Sequence, residues 1–190
     1  MTEESLPPIK PIEEVYLLHG KGGSPDGTVK RLAEVLEPRW PRLSFVRPTM
    51  AHRAPTAPAE ASVEQLRLMD LPRNALIIGI SLGGTVAAGL QELGRGDLHV
   101  IAVSSPTWAD GVILRERPPR RVALYSSRDE VIASRVADWP RLAAISRDFD
   151  WLTHNTDQHF APLAQLFASY VEGNVAAMIN SDPLAEASRL

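Results

Sequence analysis

A chain of 190 residues with 44% hydrophobic and 23% charged residues has the composition of one globular domain able to bury a real core. Its net charge of −3, with both signs interspersed, gives no electrostatic basis for binding nucleic acid or an anionic membrane, and the absence of cysteine excludes disulfides, thiolate metal sites and a cysteine nucleophile. The opening stretch MTEESLPPIKPIEE lacks the basic start and apolar run of a secretory signal, and no apolar stretch reaches membrane-spanning length. The expectation is a soluble, cytoplasmic protein with no membrane span.

Residues 1–13 read as an N-terminal tail and 14–172 as the folded domain. Glu14–His19 (EVYLLH) is a strand candidate, followed by the turn-rich Gly20-Lys21-Gly22-Gly23-Ser24-Pro25-Asp26-Gly27. Val29, Leu32, Val35 and Leu36 recur at helical spacing, and Pro38 ends that helix. Leu43–Arg47 is a second strand. The Pro- and Ala-rich segment after it reads as a surface loop. Ser62 and Gln65 fit a capping box ahead of Val63, Leu66 and Met69, which predicts a short helix there.

Ala75–Ile80 is the third strand and runs into a helix that continues through Leu93. Leu98–Val103 and Arg121–Ser126 are the fourth and fifth, and Asp148–Thr153 the sixth. A helical stretch spans Val131–Ile145, broken or restarted at Pro140. Leu163, Leu166, Phe167, Tyr170 and Val171 mark a final amphipathic helix. Residues 173–190 read as a C-terminal tail or short helix.

The central strands are near-continuous apolar runs, the pattern of a parallel sheet covered on both faces. Strand–helix alternation makes this an α/β fold, a doubly wound and mostly parallel six-stranded sheet flanked by helices. In such sheets functional residues sit at the carboxyl ends of the strands.

Four of those ends carry chemistry. Gly79-Ile80-Ser81-Leu82-Gly83 has the form of a nucleophile elbow: Ser81 at a sharp strand-to-helix turn, with glycines two positions either side so that strand and helix can pass closely. The Leu82 amide at the helix start is then an oxyanion donor. After the first strand, His19-Gly20-Lys21 brings a glycine-flanked main chain to the same edge, with the Lys21 amide as a second donor. A dinucleotide-binding reading of this loop fails, because Pro25 stands at the third glycine of GxGxxG and Arg47, not an acid, ends the second strand. After the fifth strand, Asp129 is placed to orient a histidine or to cap the following turn, with Glu130 a weaker alternative acid. After the sixth, His154 and His159 compete to be the base. His159, beside Phe160 at the start of the last helix, is favoured, and His154 at the strand end is the alternative.

Together these residues resemble the α/β-hydrolase superfamily, and within it the small lidless serine hydrolases and esterases. The order Ser81, Asp129, His159 matches that superfamily's Ser, Asp, His order, and the resemblance covers about residues 14 to 172. It implies a reduced fold with strand order 2-1-3-4-5-6 and hydrolysis of an ester or thioester through an acyl-enzyme, with a small-molecule acyl substrate and neither cofactor nor metal. Ser104–Arg120, only 17 residues, is too short to hold a helical lid. The expected site is therefore open, lined by His19, Gly20, Met50 and Trp108. An acyltransferase or amidase would use the same residues. A non-catalytic binding protein on this fold is the rival from another class.

Overall fold

The computed structural model describes residues 11–184. The first ten residues of the expected N-terminal tail and the last six of the C-terminal one lie outside it. In chain order the elements are β1 (Glu14–Leu18), α1 (Thr28–Leu36), β2 (Ser44–Val46), α2 (Ala59–Leu68), β3 (Leu76–Ile80), α3 (Leu82–Glu92), β4 (His99–Val103), β5 (Trp108–Ala109), β6 (Val112–Ile113), β7 (Arg121–Tyr125), α4 (Trp139–Leu142), β8 (Ile145–Asp148), α5 (Phe160–Val171) and α6 (Val175–Asn180).

Six strands form one parallel sheet in the order β2-β1-β3-β4-β7-β8, which is the expected 2-1-3-4-5-6 once the small β5-β6 hairpin is set aside. Strand order reverses between β1 and β3, so their carboxyl ends flank the crevice where such sheets hold ligands. Alternate side chains feed two cores. Ile77 of β3 faces one with Val63 and Leu66 of α2 and Val86 of α3. Leu76, Ile78 and Ile80 face the other with Leu32 of α1 and Leu163 and Phe167 of α5. Both faces of the central strands are thus dry, which is why they read as unbroken apolar runs.

α3 meets the sheet backbone to backbone. A Cβ on Gly79 would lie 2.3 Å from the Gly84 amide nitrogen, and one on Gly83 would lie 2.5 Å from the Leu18 carbonyl oxygen. These two glycines are therefore required by the close approach of β1, β3 and α3.

Several local expectations are corrected. α2 begins at Ala59, three residues before Ser62, so Ser62 and Gln65 do not form a capping box. The Ser62 hydroxyl bonds His52 and the Gln65 side chain bonds Thr49 and Ala51, tying α2 to the 3₁₀ turn Ala51–Arg53. The last strand runs over Ile145–Asp148, earlier than Asp148–Thr153. Phe149 and Leu152 made that later segment look strand-like, and both are buried, but as part of a loop. Val131–Ile145 holds only a 3₁₀ turn, Ala133–Arg135, and the single turn of α4. The segment after β4 carries the hairpin and no helical lid. No helix among the described residues is long and apolar enough to cross a membrane.

Candidate active site

Ser81 stands between β3 and α3 with φ +51° and ψ −125°, a conformation that costs a non-glycine residue about 1–3 kcal/mol and persists only where surroundings enforce it. They do so here through the Gly79–Gly83 contact above and a 2.9 Å bond from the Ser81 amide to the Val103 carbonyl. The turn turns the hydroxyl into a cleft of about 390 Å³ lined by Gly20, Lys21, Leu82, Pro106, Val131 and His154, among others.

The histidine that reaches Ser81 is His154. Ser81 Oγ lies 3.2 Å from His154 Nε2, and His154 Nδ1 lies 3.0 Å from Asp129 Oδ2. A carboxylate only accepts, so Nδ1 carries the proton and Nε2 is left to accept from the serine hydroxyl. The Asp129 side chain is fully buried and divides its oxygens: Oδ2 faces His154, while Oδ1 accepts from the amides of Val131 (2.9 Å) and Ile132 (3.3 Å). Asp129 thus bonds the histidine with one oxygen and caps the following turn with the other. Glu130 is exposed and takes no part.

His159, favoured from the sequence, is not the residue that meets Ser81. Its Nε2 lies 3.0 Å from Thr153 Oγ1 and its ring is 5.4 Å from that of Trp151, with partial burial lowering its pKa. The reason is the early end of β8. Once the strand stops at Asp148, the loop 149–155 has length enough to carry His154 over the crevice, while His159 is held back in the 3₁₀ turn that starts α5. His159 instead bonds the loop that bears His154, which is also held by a long 3.4 Å bond from Ser104 Oγ to the Thr153 carbonyl and by the buried Phe149 and Leu152.

The Leu82 and Lys21 residues both line the cleft beside Ser81. Leu82 is the first residue of α3, where an amide has no partner within the helix. The Lys21 amide is aimed by its own peptide plane. The Gly20 carbonyl accepts from His19 Nδ1 (2.8 Å) and from the Gly23 amide (3.0 Å), so in a trans peptide the Lys21 N–H points the opposite way. A Cβ on Gly20 would sit 3.2 Å from Ser81 Cβ, which shows how closely this loop passes the serine.

Of the residues expected to line the site, Gly20 does so, and His19, Met50 and Trp108 do not. His19 and Met50 are buried beneath the loop, where the Met50 amide donates to His19 Nε2 at 3.2 Å. Trp108 is half exposed beside the cleft, with the Arg135 guanidinium 5.2 Å above its ring. Arg128 pairs with Asp150 on the exposed surface, away from the cleft. His52, in the Met50 loop expected to line the site, is instead fully buried against His19, and burial pushes its pKa down to about 4. Among the described residues no three His, Asp or Glu side chains converge as a metal would need.

No protein-family model matches the chain and no curated protein matches its sequence. Solved structures do match it. A protein from Xanthomonas campestris described as a hydrolase of the alpha/beta superfamily superposes with a TM-score of 0.58 at 19% identity, over 85% of this chain and 99% of its own. The ydeN gene product from B. subtilis gives 0.60 at 18% identity, over 84% and 99%. Est1E from Butyrivibrio proteoclasticus, solved with ferulic acid bound, gives 0.63 at 12% identity, over 87% and 90%. The chain has the α/β-hydrolase fold.

Proposed function

We propose that this chain is a serine hydrolase that cleaves an ester or thioester of a small or exposed acyl group through an acyl-enzyme. The observation that carries the reading is the continuous chain Ser81 Oγ, His154, Asp129, with contacts of 3.2 and 3.0 Å, at the tip of a strained elbow. Strain at a serine that is also hydrogen-bonded to a carboxylate-oriented histidine has no structural use that a relaxed residue would not serve better.

In the proposed reaction, Ser81 Oγ attacks the acyl carbon as its proton passes to His154 Nε2. The carbonyl electron pair moves onto oxygen, where the Leu82 and Lys21 amides hold the developing charge. Asp129 stabilises the imidazolium without taking its proton. Collapse expels the leaving alkoxide or thiolate, which takes the proton from His154. Water then gives a proton to the same histidine and attacks the acyl carbon. Loss of Ser81 Oγ, reprotonated by His154, releases the carboxylic acid and restores the enzyme.

A cleft of about 390 Å³, bordered by a short hairpin rather than a helical lid, supports a small or exposed acyl group. The description of the Xanthomonas campestris neighbour as a hydrolase of the alpha/beta superfamily supports this chemistry. A fluorophosphonate probe tests it: labelling of the wild type, abolished in Ser81→Ala and His154→Ala, is expected. A folded wild type that resists the probe and turns over no ester or thioester across a range of acyl lengths would instead favour a ligand-binding protein on this fold.

A further inference from the structure

Behind the Lys21 loop lies a set of polar side chains, His19, His52 and Ser62, that do not line the cleft and that the proposed reaction leaves unused. His52 is fully buried, and so is Ser62 of α2. The Ser62 hydroxyl oxygen accepts from the His52 amide at 2.9 Å and lies 2.8 Å from His52 Nδ1. His52 Nε2 lies 2.8 Å from the His19 carbonyl oxygen, and the Gly22 amide donates to the His52 carbonyl at 2.9 Å. His19 in turn bonds the Gly20 carbonyl through Nδ1 and receives the Met50 amide at Nε2.

With both buried rings neutral, these contacts fix the proton arrangement. A carbonyl only accepts, so His52 Nε2 and His19 Nδ1 both carry hydrogen. The Met50 amide only donates, so His19 Nε2 is an acceptor and the ring is neutral. Burial keeps the His52 ring neutral, so with hydrogen on Nε2 its Nδ1 accepts the Ser62 hydroxyl hydrogen, while Ser62 Oγ accepts from the His52 amide. Every polar atom of both rings is committed, and each commitment fixes one peptide on the path from α2 to the Lys21 amide.

We propose that His52, supported by Ser62, is a positioning residue: it holds the His19–Gly20 peptide, and through it the Gly20–Lys21 peptide, so that the Lys21 N–H is aimed at the oxyanion before substrate arrives. This rests on the serine-hydrolase reading and adds residues that never touch substrate. A donor that must find its direction during the reaction forfeits the advantage of preorganisation. Acid works against the arrangement at His19. A second ring proton there would set Nε2–H against the Met50 N–H, donor to donor. The groups facing the two rings are each other, Ser62 and the nearby Arg53, and no carboxylate among them favours a cation.

The test uses the full chain, with p-nitrophenyl acetate as substrate and a trifluoromethyl ketone that adds to Ser81 as a tetrahedral oxyanion. Three variants are compared: His52→Leu, which keeps bulk and removes both bonds; His52→Gln, whose side-chain amide can still donate to the His19 carbonyl; and Ser62→Ala. For His52→Leu, kcat should fall about 10- to 100-fold, part of what deleting an oxyanion donor costs, with KM within about threefold. The inhibition constant for the ketone should rise by the same factor as kcat falls. His52→Gln should recover most of both, and Ser62→Ala should lose about 3- to 10-fold in each. If His52→Leu does not fold, Ser62→Ala carries the same comparison. The proposal is overturned if the variants lower the melting temperature while kcat and ketone affinity stay at wild-type values, or if KM rather than kcat moves. A wild type that neither hydrolyses the ester nor binds the ketone would overturn the hydrolase reading itself, a distinct result.

Discussion

Replacing His154 and His159 one at a time separates the two histidines that sequence order alone leaves in competition. His154→Ala removes the acceptor 3.2 Å from Ser81 Oγ and leaves Asp129 Oδ2 without its donor. Loss of the base from such a unit costs roughly 10⁴- to 10⁶-fold in kcat, or about 5 to 8 kcal/mol of transition-state stabilisation. An unpaired oxygen on a buried carboxylate costs a further 1–3 kcal/mol or so in stability, so the variant should melt lower yet remain folded. His159→Ala loses one hydrogen bond to Thr153 and a ring contact with Trp151. That is worth about 1 kcal/mol, and because Thr153 adjoins His154, kcat should fall by less than about tenfold. Steady-state hydrolysis of p-nitrophenyl acetate, with fluorophosphonate labelling as a count of competent serines, measures both. The double variant should be no slower than His154→Ala alone. Equal losses in the two single variants, or a loss confined to His159→Ala, would refute the assignment of His154 as base.

Three further outcomes follow from packing and charge. Gly79→Ala drives a methyl group to within 2.3 Å of the Gly84 nitrogen and should cost about 3 kcal/mol or more, whereas Gly94→Ala, at φ +93° with open space around it, should cost about 1–2 kcal/mol; denaturant midpoints that rank them the other way would contradict the elbow packing. Arg121 is fully buried and bonds Gln91, Glu92 and the carbonyls of Ala88, Glu116 and Leu142, so Arg121→Leu should lose about 3–5 kcal/mol by stranding those acceptors; a change under 1 kcal/mol by urea unfolding would show that the acceptors find other donors. Burial lowers the pKa of His52 and of His99 to about 4, below the unfolded value near 6.5. The unfolded chain therefore binds more protons between those values, and stability present above pH 6.5 is lost as pH falls. Going from pH 7 to pH 5 should remove about 2 kcal/mol per histidine, lowering the melting temperature by roughly 10 °C in total, and a flat profile over that interval would count against both burials.

What the amino-acid order determined was the set of apolar runs, and with them the sheet. Parallel strands covered on both faces must be almost wholly apolar, so Leu76–Ile80, His99–Val103 and Arg121–Tyr125 announce themselves within one or two residues. Ser81 was equally legible, because only glycines at 79 and 83 let a helix start against two strands, and that demand is written locally. Asp129 follows from its place just past β7. The choice of histidine was not local. Phe149 and Leu152 are buried as loop anchors, and their apolar side chains made the segment read as strand, which shifted the apparent strand end toward His154 and made His159 look like the loop residue. Similarly, Ser62 and Gln65 have the spacing of a capping box, yet a hydroxyl and an amide bond whatever donor or acceptor the fold delivers, here the turn that carries His52. His19 matched the expected motif, but its side chain turns inward to Met50 and Gly20, away from the cleft. Hydrophobic burial acts through composition and period, which a chain displays in its order. A hydrogen bond needs two atoms within about 3 Å, and between residues 81 and 154 or 19 and 52 only the tertiary structure supplies that distance.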